Sequence, residues 1–435
     1  MIDSPASNRK LIAASVVALV LALATAGCSQ TAAESSDDAA APPAAAGNAP
    51  ATASAGPCEP VETGAPNVPS QRPTFAGQTR ACGVTTKTAF DVVVLADGLD
   101  HPWAIEPLPG GDLLVTEKPG RMRIIGADGK VGEPIAGLPR VDARGQGGLL
   151  DVALSPGFTS DRTIYWSYSE PRDGGNATSV ARGALATDGR SVTGVRVIFR
   201  ALPAFDGSMH YGSRLAFGPD GMLYVTLGER SDIRIRPQAQ HFDSHMGKVV
   251  RIAPDGSVPK DNPFVGRDGA LPEIWSLGHR NIQSAVFDTE GRLWTIEHGA
   301  RGGDELNLVQ KGKNYGWPLV TFGQEYSGSP IPNSVTTRSG FEDPVYYWDP
   351  VIAPSGAEYY TGSAFPAWRG SLFIGALREQ RLVRLTLANG RVTGEEHLLT
   401  DRGQRIRDVR QGPDGALYIV TDERDGELWK IVPRQ

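Results

Sequence analysis

Cysteine is nearly absent from this 435-residue chain, which has only Cys28, Cys58 and Cys82, and histidine is sparse at seven residues. No Cys/His cluster at metal-ligand spacing occurs, which excludes a zinc finger or zinc ribbon. A basic excess is missing as well. The formal net charge is −6 with both signs interspersed, so the chain lacks the footprint of a nucleic-acid binder, and small molecules or proteins are the expected partners. A spanning helix needs about 20 apolar residues, and the apolar stretch from Leu11 to Ala24 falls short of that. Sustained 3.6-residue periodicity is scarce, as in an all-β chain.

What is present begins with an export signal. Arg9 and Lys10 precede Leu11 to Ala24, and Thr25-Ala26-Gly27-Cys28 follows, giving the three regions of a secretory leader. The small-small-Cys ending is that of a bacterial lipoprotein signal, although Thr25 departs from the usual Leu. Residues 1–28 are therefore read as a lipoprotein signal peptide with Cys28 lipidated. Ser29 after that cysteine favours the periplasmic face of an outer membrane, with the cell surface as the alternative, and the lipid is the expected membrane contact. Residues 29–87 read as a disordered Ala/Pro-rich tether, too poor in large apolar residues to build a core. Within it Cys58 and Cys82 form either a disulfide-stapled lead-in, favoured by export, or two unpaired thiols.

From residue 88 to residue 435 the texture changes to short β-rich runs broken by turn residues, in a chain with 52 Gly and 33 Pro. One pattern recurs, a Gly/Pro/Asp turn followed by an apolar strand. Copies start at Pro109, Ser155, Gly218, Thr289, Trp368 and Gly412. At about 58 residues per repeat, this spacing predicts an all-β, six-bladed β-propeller whose blades carry long functional loops, favoured over a pair of β-sandwiches with coincidental turns by six like repeats in one uninterrupted domain. A propeller gathers residues from several blades at one mouth, so site residues are expected to be scattered along the chain.

Three polar segments are candidates. His210 sits in a loop just before a repeat strand, where a neutral imidazole serves either as a general base or as a surface hydrogen-bonding group. The run from Glu297 to Asn307, rich in glycine and containing Asp304 and Glu305, offers hard oxygen ligands suited to calcium, or is simply a solvated acidic loop. Arg405 and Arg407 share one face of a strand. They suit a multiply carboxylated ligand, or they pair with Asp401 and Asp408 at a solvated edge.

Taken in order, Gly145-Gln146-Gly147-Gly148, the His210 loop with Ser213-Arg214-Leu215, Gly247-Lys248-Val249-Val250-Arg251, Asp261-Asn262-Pro263, Gly278-His279-Arg280-Asn281, Gly303-Asp304-Glu305-Leu306-Asn307, Lys313-Asn314-Tyr315-Gly316-Trp317-Pro318 and Arg405-Ile406-Arg407-Asp408 resemble the glucose/sorbosone dehydrogenase family of PQQ enzymes. The likeness is greatest to its aldose sugar dehydrogenase branch and runs from about His101 to the C-terminus. The resemblance implies oxidation of an aldose at its anomeric carbon, with His210 as base and hydride passing to PQQ, and a quinone or cytochrome as eventual electron acceptor. It implies that Gln146, Arg280, Asn281, Tyr326, Arg378, Arg405 and Arg407 surround PQQ, with Ala376, Leu377 and Ile406 between them. It also implies one Ca²⁺ on the carbonyls of Gly299 and Ala300 and a second near Glu305 and the backbone oxygen of Tyr315. Met209, Ala300, His298, Ile282 and Arg378 stand where glucose-oxidising members carry Asp, Pro, Gln, Pro and Lys. Two other readings compete: a calcium propeller lactonase, and a non-catalytic surface propeller that binds a sugar or a protein.

Overall fold

The computed structural model describes residues 58–434. The lipoprotein signal and the first part of the tether lie outside them. Among the described residues, no helix is long and apolar enough to cross a membrane.

The strands run from Phe90 to Pro433 in six sheets. Strand β1 (Phe90–Leu99) comes first but belongs to the last blade. The next blade is β2 (Pro102–Pro107), β3 (Leu113–Glu117) and β4 (Arg121–Ile125). It has three strands, and Gly132 and Ile135 cover part of its outer edge by donating to Ile124 and Met122. Then follow β5 (Leu149–Leu154) to β8 (Val192–Arg200), with β6 (Thr163–Arg172) and β7 (Gly175–Leu185) between them. The third sheet holds β9 (Gly212–Phe217), β10 (Leu223–Leu227), β11 (Lys248–Ile252) and β12 (Ile274–Leu277). Next are β13 (Ile282–Phe287), β14 (Leu293–Glu297), β15 (Asp304–Val309) and β16 (Tyr346–Trp348), and after them β17 (Pro354–Tyr359), β18 (Ser371–Ala376), β19 (Arg381–Ala388) and β20 (Arg391–Leu398). The last blade combines β21 (Ile406–Gln411), β22 (Leu417–Thr421) and β23 (Gly426–Pro433) with β1, which pairs antiparallel to β23 from Phe90↔Pro433 onward.

The ring closes because β2, β5, β9, β13, β17 and β21 are the innermost strands, each beside the next, and β21 returns to β2. All six copies of the sequence repeat fall on the second strand of a blade, namely β3, β6, β10, β14, β18 and β22. The turn before each is the hairpin from the innermost strand. Buried aromatic residues fill the wedges between blades. Trp166, Trp294, Trp368 and Trp429 are fully enclosed, each in an apolar cluster with residues of a neighbouring sheet. Truncating such a residue to Ala costs about 3–5 kcal/mol.

Residues 58–87, read from the sequence as the end of the tether with Cys58 and Cys82 either stapled or free, take the stapled form and lie against the propeller. Cys58 and Cys82 form a disulfide with Cα atoms 5.4 Å apart, Gly83 pairs in parallel with Glu395 of β20, and Val68, Gln78 and Ala81 are buried.

Candidate active site

Each innermost strand starts at the same mouth of the ring, and each second strand ends there. The loops that enter β2, β5, β9, β13, β17 and β21 carry His101, Gln146, His210, Arg280 with Asn281, Ala353 and Arg405. The exits from β3, β10, β14, β18 and β22 carry Lys118, Glu229, His298, Leu377 and Asp422. Between them lies a cavity of about 470 Å³ lined by His101, Trp103, Lys118, Gln146, Gln283, His298, Leu377, Arg405, Arg407 and Asp422, among others.

His210 adjoins this cavity through Tyr211 and Gly212, which line it, and is itself buried with a left-handed backbone (φ 48°). Gln146 Oε1 accepts its backbone N–H at 2.8 Å. Its Nδ1 is 2.7 Å from Glu229 Oε1, which makes Nδ1 the donor and leaves Nε2 as the free base. Burial, and then the charge of Arg280, push the imidazole down to about 4, against the opposing pull of Glu229. It is therefore neutral and ready to accept a proton at neutral pH. The approach depends on Gly228, where a Cβ would stand 2.2 Å from the His210 carbonyl oxygen.

Arg280 and Asn281 enter β13 beside it. Glu297 Oε2 accepts the Arg280 backbone N–H, and the guanidinium donates to the carbonyls of Gly299 and His298 while lying over Trp317. Tyr326 is largely exposed, its hydroxyl 3.5 Å from Arg280 Nη2. Arg280 Nε and Asn281 Nδ2 are buried without a protein partner, an arrangement that wants an acceptor-rich ligand. His298 donates through Nε2 to the Pro354 carbonyl, and burial holds its ring at about 3.

Arg405 and Arg407 do share a face, but their partner is neither Asp401 nor Asp408. Asp422 takes both, at 2.5 Å from Arg405 Nη2 and 2.9 Å from Arg407 Nη2. The pair keeps the Asp422 carboxyl below its ordinary range despite burial. Leu377 lines the cavity and accepts from Arg405 at its carbonyl. Ala376 and Ile406 do not reach the cavity, because their side chains belong to the interblade clusters. Arg378 is exposed and faces Glu379 at 3.7 Å.

At the implied metal positions, the Gly299 carbonyl receives the Arg280 guanidinium, a cation already at that oxygen. Ala300 is buried beside it. Farther out, burial and the neighbouring Glu297 raise the Glu305 carboxyl well above its ordinary value. Asn307 Oδ1, next to it in the strand register, is buried without a partner. The Tyr315 ring stacks on His279 at 4.7 Å, and its hydroxyl is spent on the Leu308 carbonyl. A hard cation near Glu305 would meet the carboxylate and the free amide oxygen, which fits calcium chemistry. Among the described residues no group of three or more His, Cys, Asp or Glu is arranged to hold a metal, so backbone oxygens would have to complete either site.

Beneath the cavity floor the channel is charged. Arg214 lies 4.5 Å from the Trp103 ring centroid and 2.7 Å from Asp151, with Asp408 at 3.3 Å. Arg410 faces the same two carboxylates. Burial pushes Glu106 up to about 8 and Glu358 up to about 7.

Sequence reasoning passed over Glu229, Asp422, Lys118, Gln283 and His101. The signal for Glu229, Asp422 and Lys118 was available in register, since each follows the second strand of its blade by one or two residues.

Fold and site together define a β-propeller oxidoreductase. The chain belongs to the family described as Glucose / Sorbosone dehydrogenase, whose sequence profile matches residues 99–430. It is 47% identical over 348 residues to the aldose sugar dehydrogenase YliI of Escherichia coli K12, covering 79% of this chain and 93% of that protein. The solved structure of the soluble aldose sugar dehydrogenase from Escherichia coli in its apo form matches with a TM-score of 0.77 at 46% identity, over 80% of this chain and 100% of that one. The PQQ-bound form of aldose sugar dehydrogenase from Streptomyces coelicolor matches with a TM-score of 0.66 at 31% identity, over 80% and 100% of the two chains.

Proposed function

We propose that this protein oxidises aldoses at the anomeric carbon to lactones, using PQQ and Ca²⁺, with His210 as general base. When bound, PQQ supplies a quinone that accepts the C1 hydride, and Ca²⁺ supplies Lewis-acid polarisation of that quinone. The chain's own part is proton handling and positioning. His210 Nε2 takes the proton of the anomeric hydroxyl, while Glu229 fixes the tautomer and steadies the imidazolium that results. Arg405 and Arg407, held parallel by Asp422, meet ligand carboxylates, and Arg280 Nε and Asn281 Nδ2 offer the buried donors that lack partners. Gln146, Leu377 and Tyr326 border the ligand. Gly299 and Ala300 would offer carbonyls to one Ca²⁺, and Glu305 with the backbone of Tyr315 to a second.

The observation that carries this reading is the buried His210–Glu229 pair beside a cavity walled by two arginines. A calcium lactonase would need ionised, free carboxylates at the channel centre, whereas Asp151 and Asp408 are matched there by Arg214 and Arg410 and burial favours the protonated forms of Glu106 and Glu358. We further propose export with a lipid anchor on Cys28, at the periplasmic face of an outer membrane or the cell surface. Electrons would leave to a quinone or a cytochrome.

The test is reconstitution of purified protein with PQQ and Ca²⁺ and dye reduction across several aldoses, beside His210→Ala. Activity that requires PQQ and falls about 10²–10⁴-fold in the variant is expected. Measurable PQQ binding with no turnover of any aldose would overturn the assignment.

A further inference from the structure

The lead-in at residues 58–87 lies before the family match, which begins at residue 99, yet it reaches the back of the active-site loop. Asp349, a buried propeller residue directly after β16, spends both carboxylate oxygens on lead-in backbone. Oδ1 accepts from Asn67 N at 2.5 Å and Oδ2 from Val68 N at 3.1 Å. Asn67 returns two contacts. Its carbonyl accepts from Gln324 Nε2 at 3.1 Å, and its Oδ1 accepts from Val351 N at 3.0 Å. Gln324 in turn exchanges both backbone hydrogen bonds with Arg301 at 2.9 Å. The buried Val68 side chain sits directly on Gly302, where φ is +88° and a Cβ would stand 2.7 Å from Val68 Cγ2. The loop and the lead-in are thus fitted backbone to side chain, with room for glycine only.

Two routes lead onward to the cavity. Through the 299–303 loop the contact passes to the Gly299 carbonyl, which Arg280 grips. Through Val351 it passes to Ala353, on the cavity wall. The lead-in itself is held by the Cys58–Cys82 disulfide and by Glu62, which pairs with Arg381 at 2.9 Å.

We propose that the disulfide-stapled lead-in is a brace that positions the Gly299–Gly303 loop, with Asn67 and Val68 as positioning residues for cofactor and metal binding. The inference rests on the reading of that loop as the one facing PQQ and calcium. It acts through the loop, since no lead-in residue lines the cavity.

The decisive measurement needs no cofactor. The amides of Gly299, Arg301 and Gly303 are hydrogen-bonded, to Asp304, Gln324 and Trp348 respectively, so hydrogen–deuterium exchange across 299–303 reports the loop's order. In the full chain, Cys58→Ser with Cys82→Ser, and separately Val68→Asp, should speed exchange there at least tenfold. Exchange in β3, across the ring, should stay unchanged, and Val68→Ile should keep the loop slow. PQQ affinity by equilibrium titration should weaken about tenfold in the first two variants, with kcat at saturating PQQ retained. Unchanged exchange at 299–303 in both variants would overturn the brace, and so would faster exchange throughout the ring or a faster loop with PQQ affinity intact. If the unaltered protein binds no PQQ, the proposed function fails, while the exchange data still decide whether the lead-in orders the loop.

Discussion

His210 Nδ1 and Glu229 Oε1 lie 2.7 Å apart, both buried, and each comes from a different end of the β9–β10 hairpin. The carboxylate does two things at once: it orients the ring and raises the basicity that burial removes. Glu229→Gln should therefore lower kcat by about 10²-fold while leaving PQQ affinity unchanged. The same pair sets the acid limit. A base held down to about 4 is active above that value and lost as pH falls through it, so the pH profile should show no inflection near 6.5 from this residue. Steady-state rates between pH 4 and 8 check this, and a limb at 6–7 that disappears in Glu229→Gln would contradict it.

Arg407 is more enclosed than Arg405, at 12% against 38% side-chain exposure, so its contact with a ligand carboxylate is less screened. Arg407→Gln should weaken PQQ binding about 10- to 100-fold, the worth of one charge-assisted hydrogen bond. Arg378→Gln, at an exposed position, should change it much less. Fluorescence titration of the two variants distinguishes a cradle built on β21 from one spread evenly over the mouth.

Calcium should act on stability through Glu305. A cation that binds the folded chain at 100 times its Kd adds about 2.7 kcal/mol, so Tm should rise by a few degrees from EDTA to excess CaCl2. Glu305→Gln should abolish most of that rise. Equal melting curves in EDTA and calcium would remove the structural ion from this protein.

The channel carboxylates predict an opposite pH trend. Glu106 and Glu358 have folded values raised to about 8 and about 7, so the folded state holds protons that the unfolded chain releases near 4.3. Their stabilising contribution is complete below that unfolded value and is lost as pH rises through 7–8. Glu106→Gln with Glu358→Gln should flatten the fall in Tm between about pH 5 and 8. If the fall persists unchanged in the double variant, these groups are not its source.

How far the sequence could be read depended on whether the signal was local. The six Gly/Pro/Asp turns marked the second strand of every blade, because hairpin chemistry is written within a few residues. Arg405 and Arg407 were seen to share a face for the same reason. Their partner was not, since Asp422 reaches them across a hairpin while Asp401 and Asp408 are nearer in sequence. Glu229 looked like an ordinary charged residue until the strand register placed it behind His210. The disulfide-stapled lead-in could be expected from the two exported cysteines, but its docking could not be read from composition, because backbone hydrogen bonds to Asp349, not apolar bulk, hold much of it in place.

The pairing of β1 with β23 means that the ring is latched by segments more than three hundred residues apart. Until Gly426–Pro433 is synthesised, Phe90–Leu99 has no neighbour in its sheet, and the last blade cannot seal against the first. Five blades can form in sequence during synthesis, but the mouth that brings Arg405 and Asp422 beside His101 exists only once the last blade has closed on the first. A nascent or C-terminally clipped molecule would thus be an open arc without a finished site, and catalytic competence would appear as a single late event.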